Sequence, residues 1–326
     1  MPVTDAPPVA PSPALAAAGE LGAALLDNLG RVVKGKTDVL RLAVVAVLSG
    51  HHLLLEDVPG VGKTLLAKAM ARSIGGTFRR VQGTPDLLPS ELTGVSVFHK
   101  ATEEWEFRAG PLFANVVLFD EINRATPRTQ SALLEAMEER QVTVDGTTWD
   151  LPASFFVVAT QNPIEHAGTF PLVEGQRDRF GLVLELGHPH RVAERELLLG
   201  GGGVDSLDAL GPVCSQDQLG EAERAVRTVY CAPAVADYVI DLATATRSHP
   251  DVLLGCSPRG SIALLHLAKA VAALAGRHYV TPADVQVVAV PSLSHRVVVA
   301  GALGGDVQAA AGIVRRILES VPIPRA

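Results

Sequence analysis

Residues 53–70 read LLLEDVPGVGKTLLAKAM: a short apolar run, a glycine-proline turn, then a helix-forming stretch. Nothing else in the chain constrains it as much. A buried strand that feeds a tight glycine loop into a helix start gathers backbone N–H groups and the positive end of the helix dipole at one point. In the pattern G-x-x-x-x-G-K-[ST], the lysine reaches the β- and γ-phosphates and the hydroxyl ligates Mg²⁺. Lys63 and Thr64 take those positions, and Asp57 stands where the first glycine would be. Pro59 and Gly60 still supply a sharp turn. The reading is therefore a nucleotide-binding loop over Val58, Pro59, Gly60, Val61, Gly62, Lys63, Thr64 and Leu65. The alternative is a fortuitous glycine-rich βα turn.

The chain has 326 residues, enough for two domains. It is 48% hydrophobic, which excludes disorder for most of its length, and its net charge of −7 does not favour nucleic acid. The three cysteines, Cys214, Cys231 and Cys256, lie far apart with no CxxC pair, and read as reduced thiols. The ten histidines show no ligand spacing, so no bound transition metal is expected. His51, His52, His188 and His190 read as surface or strand-edge residues. The Pro/Ala-rich start lacks the basic and apolar segments of a signal peptide. No apolar run reaches the roughly 20 residues that cross a bilayer. A cytoplasmic location follows as the expectation.

Helices are predicted over 15–33, 37–48, 64–74 and 127–140, and strands over 53–56, 77–82, 115–120 and 154–160. Residues 141–151 alternate around Asp145-Gly146, a hairpin signal. Alternating strands and helices with short loops argue for a doubly wound α/β domain. From Ser215 onward the segments read as helices with no clear strand. The expected division is a leader over 1–14, an α/β domain over 15–190, a linker over 191–214 and a helical domain over 215–326.

Asp120-Glu121 follow the apolar run VVLF. Carboxylates at the end of a central strand would lie beside the phosphate loop, Asp120 toward Mg²⁺ and Glu121 toward the attacking water. A helix-capping acid pair is the plainer alternative. Asn162, in ATQNP, could contact the γ-phosphate or serve only as a turn residue before Pro163. Arg177 and Arg179, in GQRDRF, could reach a neighbouring subunit's phosphates or form an exposed turn paired with Asp178. Arg259, in CSPRG, could bring the second domain to the γ-phosphate or be a solvated arginine at a helix start.

Together these motifs resemble the AAA+ ATPase superfamily and, within it, the MoxR family. The matching stretches are EDVPGVGKT, RVQGTPDLLPSELTG, GPLFANVVLFDEINRATPRTQSALLEAMEERQVTVDG, ATQNPIEHAGTFPLVEGQRDRF, SPRG and GRHYVTPADV. The resemblance implies a P-loop α/β core, with a parallel sheet flanked by helices, and a C-terminal all-helical lid. It implies a homo-oligomeric ring, usually hexameric. Lys63 and Thr64 match the phosphate and Mg²⁺ positions, and Asp120 and Glu121 the second acidic motif. Asn162 matches the sensor-1 position, Arg179 the arginine finger and Arg259 the sensor-2 position. Residues 93–113 resemble the family's insertion, read as a hairpin of 95–99 and 105–108. The chain departs from the family pattern at Gly83, where a bulky aromatic is common, at Val173 and Gly175, and at Arg177, where an apolar residue is usual.

The expected function is therefore an Mg·ATP-hydrolysing ring ATPase that remodels a client protein in enzyme maturation or metal-cofactor insertion. The family often acts with a partner carrying a von Willebrand factor A-type domain. The alternatives are a DNA-directed AAA+ motor, disfavoured by the acidic KATEEWE hairpin, and a nucleotide-gated scaffold with negligible turnover.

Overall fold

The computed structural model describes residues 10–162, 168–200, 203–301 and 307–324. Most of the leader reading, residues 1–9, lies outside them, as do 163–167 of the ATQNP stretch and 201–202 of the linker.

In chain order the elements are α1 (Pro13–Val32), α2 (Thr37–Leu48), β1 (His52–Glu56), α3 (Lys63–Ser73), β2 (Phe78–Gln82) and α4 (Pro89–Thr93). A hairpin of β3 (Gly94–His99) and β4 (Glu104–Ala109) precedes β5 (Val116–Asp120) and α5 (Pro127–Glu139). A second hairpin, β6 (Gln141–Val144) and β7 (Thr147–Asp150), leads to β8 (Phe156–Gln161), α6 (Glu174–Arg177) and β9 (Phe180–Leu184). Then come α7 (Arg191–Leu198), α8 (Val204–Leu207), α9 (Gln216–Arg227), α10 (Pro233–Ser248), β10 (Val252–Leu254), α11 (Pro258–Leu274), α12 (Pro282–Leu293), β11 (Val298–Val299) and α13 (Val307–Ser320).

The main sheet is parallel, in the order β2-β5-β8-β1-β9. Every residue of β1, β5 and β9 is buried, which is why these strands read as unbroken apolar runs. The edge strand β2, FRRVQ, buries only Val81. Because the strands are parallel, the ends of β1, β5 and β8 lie side by side at one rim. That rim carries the phosphate loop, Asp120-Glu121 and Asn162, the place where open α/β sheets bind ligands.

One face of the sheet shares a continuous apolar core with the C-terminal helices: Leu53, Leu182, Leu264, Leu267, Val288 and Ile313 belong to one buried cluster. The other face packs against α5 through Phe119, Leu133, Met137 and Val157. No helix among the described residues is long and apolar enough to cross a membrane.

The structure differs from the sequence expectation at several points. β9, a five-residue strand, is not among the expected elements, and α7 and α8 occupy part of the expected linker. The C-terminal region is not wholly helical, since β10 and β11 pair antiparallel. His52 is not a surface residue: it is 5% exposed and bridges β8 and α5. Its ring accepts from the Val157 N–H at 3.1 Å and lies 3.1 Å from the Met137 carbonyl, so it is the Nε2–H tautomer.

Candidate active site

The phosphate loop leaves β1 with two residues in the left-handed region, Gly60 (φ 87°) and Gly62 (φ 101°). Nothing lies within 4 Å of where a Cβ would stand on either, so the loop forms an open cradle at the start of α3. Asp57, the departure from the glycine pattern, is buried and works as a brace. Its carboxylate accepts from the Val58 N–H at 2.8 Å and from the Gly187 N–H at 2.6 Å, tying the loop to the segment after β9. Lys63 Nζ donates to the Asp57 and Val58 carbonyls at 2.7 and 3.3 Å. Val58 thus contributes its carbonyl, while Pro59 to Leu65 line a cleft of about 610 Å³. Partial burial lowers the Lys63 pKa against the pull of Asp57, Asp120 and Glu121.

Asp120, Glu121 and Asn162 line the same cleft. Asp120 Oδ1 accepts from the Thr160 hydroxyl at 2.6 Å, and Oδ2 from Arg80 Nη2 at 2.5 Å. Glu121 sits at φ 56°, ψ 53°, a left-handed position that costs a non-glycine residue of order 1–3 kcal/mol. The strain is held in place: the Glu121 N–H donates to Thr160 Oγ1 at 2.9 Å. Gln82 Nε2 and Arg124 Nη1 donate to Glu121 Oε2 at 2.9 and 3.2 Å. Gly83 is explained by the same approach. A Cβ there would stand 2.2 Å from the Glu121 carbonyl oxygen. Part of the cleft's lining is apolar, from Val32, Val33, Leu197 and Leu207, and Lys36, also in the lining, donates to the His188 carbonyl at 2.6 Å.

Arg80, Gln82, Arg124 and Thr160 were not singled out from the sequence. Only the β2–β5 register, which sets Gln82 opposite Asp120, brings the first two to the acids.

The two remaining arginine positions are not in this cleft. Arg179 and Arg259 meet at Glu138, with Arg179 Nε 2.8 Å from Oε2 and Arg259 Nη2 on Oε1. Arg177 is separate again. It is 7% exposed and donates to the buried Glu56 at 2.9 Å. Burial raises the Glu56 pKa and the Arg177 charge opposes the rise. Asp178, between the two arginines, does not pair locally. It accepts from Arg296 Nε at 2.6 Å and from the Ser257 hydroxyl at 2.9 Å, fastening this turn to the lid.

The parallel five-stranded sheet, the loop and the helical C-terminal region define an AAA-type ATPase fold. Residues 52–182 match the model of the ATPase family associated with various cellular activities (AAA), and residues 244–316 match the AAA lid domain. Chaperone MoxR1 of Mycobacterium tuberculosis is 38% identical over 99% of this chain and 88% of its own. The uncharacterized protein YeaC of Bacillus subtilis is 46% identical over 92% of this chain and 93% of its own. A crystal structure of a protein assigned as an ATPase from Cytophaga hutchinsonii superposes with a TM-score of 0.86 at 33% identity, covering 96% of this chain and 97% of that one. This chain belongs to the MoxR family of AAA+ ATPases.

Proposed function

We propose that this chain is an Mg²⁺-dependent ATPase that assembles into a ring, hexameric as in the family's usual form, and remodels a client protein in the cytoplasm. The observation that carries the reading is a division of labour. The phosphate loop, Asp120, Glu121 and Asn162 converge on one cleft, while Arg179 and Arg259 converge on Glu138 outside it. Arg80 and Arg124 brace the acids within the cleft, so the two arginines outside it, Arg179 and Arg259, are the ones free to complete a neighbour's site.

The donor set fits a hard divalent cation, since the Thr64 hydroxyl and the Asp120 carboxylate are oxygen ligands lining one cleft. Mg²⁺ held there would neutralise phosphate charge and orient the transferred group. The chain's own residues do the rest. The cradle's N–H groups and Lys63 bind the phosphates. Glu121 positions the attacking water and takes its proton. Asn162 orients that water or the γ-phosphate. Arg179 and Arg259 of the neighbour stabilise the charge that develops in the transition state. The apolar part of the lining, with Val32 and Leu207, receives the base.

The surface we assign to the client is the β3–β4 hairpin, where Phe98 and the 71%-exposed Trp105 form a ring pair at 5.3 Å. It is coupled to the second hairpin, since Phe107 stacks on Trp149 at 4.5 Å. A partner with a von Willebrand factor A-type domain and a role in enzyme maturation or metal-cofactor insertion complete the proposal as family expectations.

The test is Mg²⁺-dependent ATP hydrolysis across protein concentration, with Lys63→Ala, Glu121→Gln and Arg179→Ala beside the parent. Specific activity should rise with concentration, and each substitution should abolish it. A rate independent of concentration and of Arg179 would overturn the shared site.

A further inference from the structure

Glu138 lies on the last turn of α5, Arg179 just before β9, and Arg259 in the first turn of α11. They meet at a hollow of about 240 Å³, outside the nucleotide cleft. The two arginines share the two oxygens of one carboxylate. All three side chains are partly exposed, at 34% for Glu138, 30% for Arg179 and 49% for Arg259. Pairs this exposed contribute little to stability. What the arrangement determines is position.

The backbones of the two arginines are already tied together. The Ser257 hydroxyl caps α11, accepting from the Gly260 N–H at 3.1 Å, and donates to Asp178 Oδ2 at 2.9 Å. Glu138 then aligns the side chains. It engages Nε of Arg179 and one Nη of Arg259; Arg179 Nη1 also donates to the Gly175 carbonyl at 3.4 Å, and Nη2 of Arg179 and the second edge of Arg259 face the hollow for an anion. Without the carboxylate, two like charges on long flexible stems would splay apart and would have to be ordered each time a neighbour docked.

We propose that Glu138 is a positioning residue that pre-aligns Arg179 and Arg259 as a pair for the phosphates of the adjacent subunit's nucleotide. The inference rests on the shared-site reading above.

The experiment is subunit mixing. Glu138→Ala alone should lower kcat by up to about 10²-fold, the scale expected for misplaced catalytic groups, while leaving its KM for ATP and its thermal midpoint near the parent's. Glu138→Gln retains an acceptor for one arginine and should fall between the two. Glu138→Ala chains keep an intact cleft, and Glu121→Gln chains keep intact arginines. Mixed rings, formed by dilution and reconcentration together, should show activity well above the summed residual activity of the two variants alone. Arg179→Ala mixed with Glu121→Gln is the control and should recover in the same way. If the control recovers and the Glu138→Ala mixture does not, or if Glu138→Ala runs at the parent rate, the positioning role is overturned and the shared site stands. If neither mixture recovers, the shared site itself fails, and the inference with it. Should Glu138→Ala not fold, Glu138→Gln carries the same mixing test.

Discussion

The nucleotide cleft and the arginine corner are built from different materials. The cleft is mostly backbone and strand ends. Its loop, its acids and Asn162 stand where three adjacent parallel strands stop, and those strands are buried. The corner is mostly side chains. Arg179, Arg259 and Glu138 come from three separate segments and meet at a partly exposed surface. The first arrangement is rigid before anything binds. The second is cheap to rearrange, which suits a contact that forms and breaks as neighbouring subunits move. Arg177 and Arg179 show the contrast at close range: the buried one, at the end of α6, holds Glu56 of β1, and the partly exposed one pairs with Glu138 at the surface.

The sharpest way to break the comparison is to exchange the roles of these two arginines. Arg179→Ala should lower ATP turnover by about 10³–10⁵, the range for arginines acting across an interface. Its urea midpoint should hardly move, because exposed pairs contribute at most about 1 kcal/mol. Arg177→Ala should do the reverse and lose about 3–5 kcal/mol of stability, because Glu56 is left charged and buried. Replacing both partners with apolar residues, Glu56→Leu with Arg177→Met, should recover most of that loss. If Arg177→Ala denatures like the parent yet loses turnover, the assignment of the two arginines is inverted.

Gly83→Ala comes next in size. Its Cβ would meet the Glu121 carbonyl oxygen at 2.2 Å, a backbone atom that cannot swing aside. The forced shift should cost about 1–3 kcal/mol and displace Glu121, so turnover should fall with it. Parallel denaturation and hydrolysis assays check both effects. A variant that keeps parent activity would show that the Glu121 turn tolerates movement, against the view that the cleft is rigid.

The same contrast explains what the sequence could disclose. Val58 to Leu65 are adjacent in the chain, and Asp120-Glu121 end an apolar run, so local pattern was enough to find them. The parallel sheet followed from unbroken apolar stretches. Gln82 and Arg80 were out of reach, because their role depends on which strand lies beside β2. Glu138 was further away still: its partners lie 41 and 121 residues along the chain, and a glutamate in a charged helix end carries no local sign of them. Arg177 stood where an apolar residue is usual. The position is indeed buried, and only the packing against β1 reveals the Glu56 that makes a charge tolerable there.

The smallest expected effect separates the two ends of β1. The phosphate loop leaves one end of the strand, and His52 begins the other beside the arginine corner. Burial pushes the His52 pKa from 6.5 down to about 3, with the Arg140 charge adding to the shift. The folded ring is therefore neutral over a range where the unfolded ring binds a proton. A depressed histidine pKa means the stability is present above the unfolded value and declines as pH falls from 6.5 toward 3. The slope is at most about 1.4 kcal/mol per pH unit for each such histidine. His51, also pushed down to about 3 by burial and its neighbours' charges, adds a second contribution. Urea denaturation at pH 7, 6 and 5 should show this decline, and His52→Gln should flatten it by the share of one histidine. Hydrogen exchange at pH 5 should then rise first in β1's opening residues and at Val157 of β8, whose N–H loses its acceptor once the ring takes up a proton, before it rises in the phosphate loop. Equal acceleration at both ends would mean that acid unfolds β1 as one unit, and that the corner is no softer than the cleft.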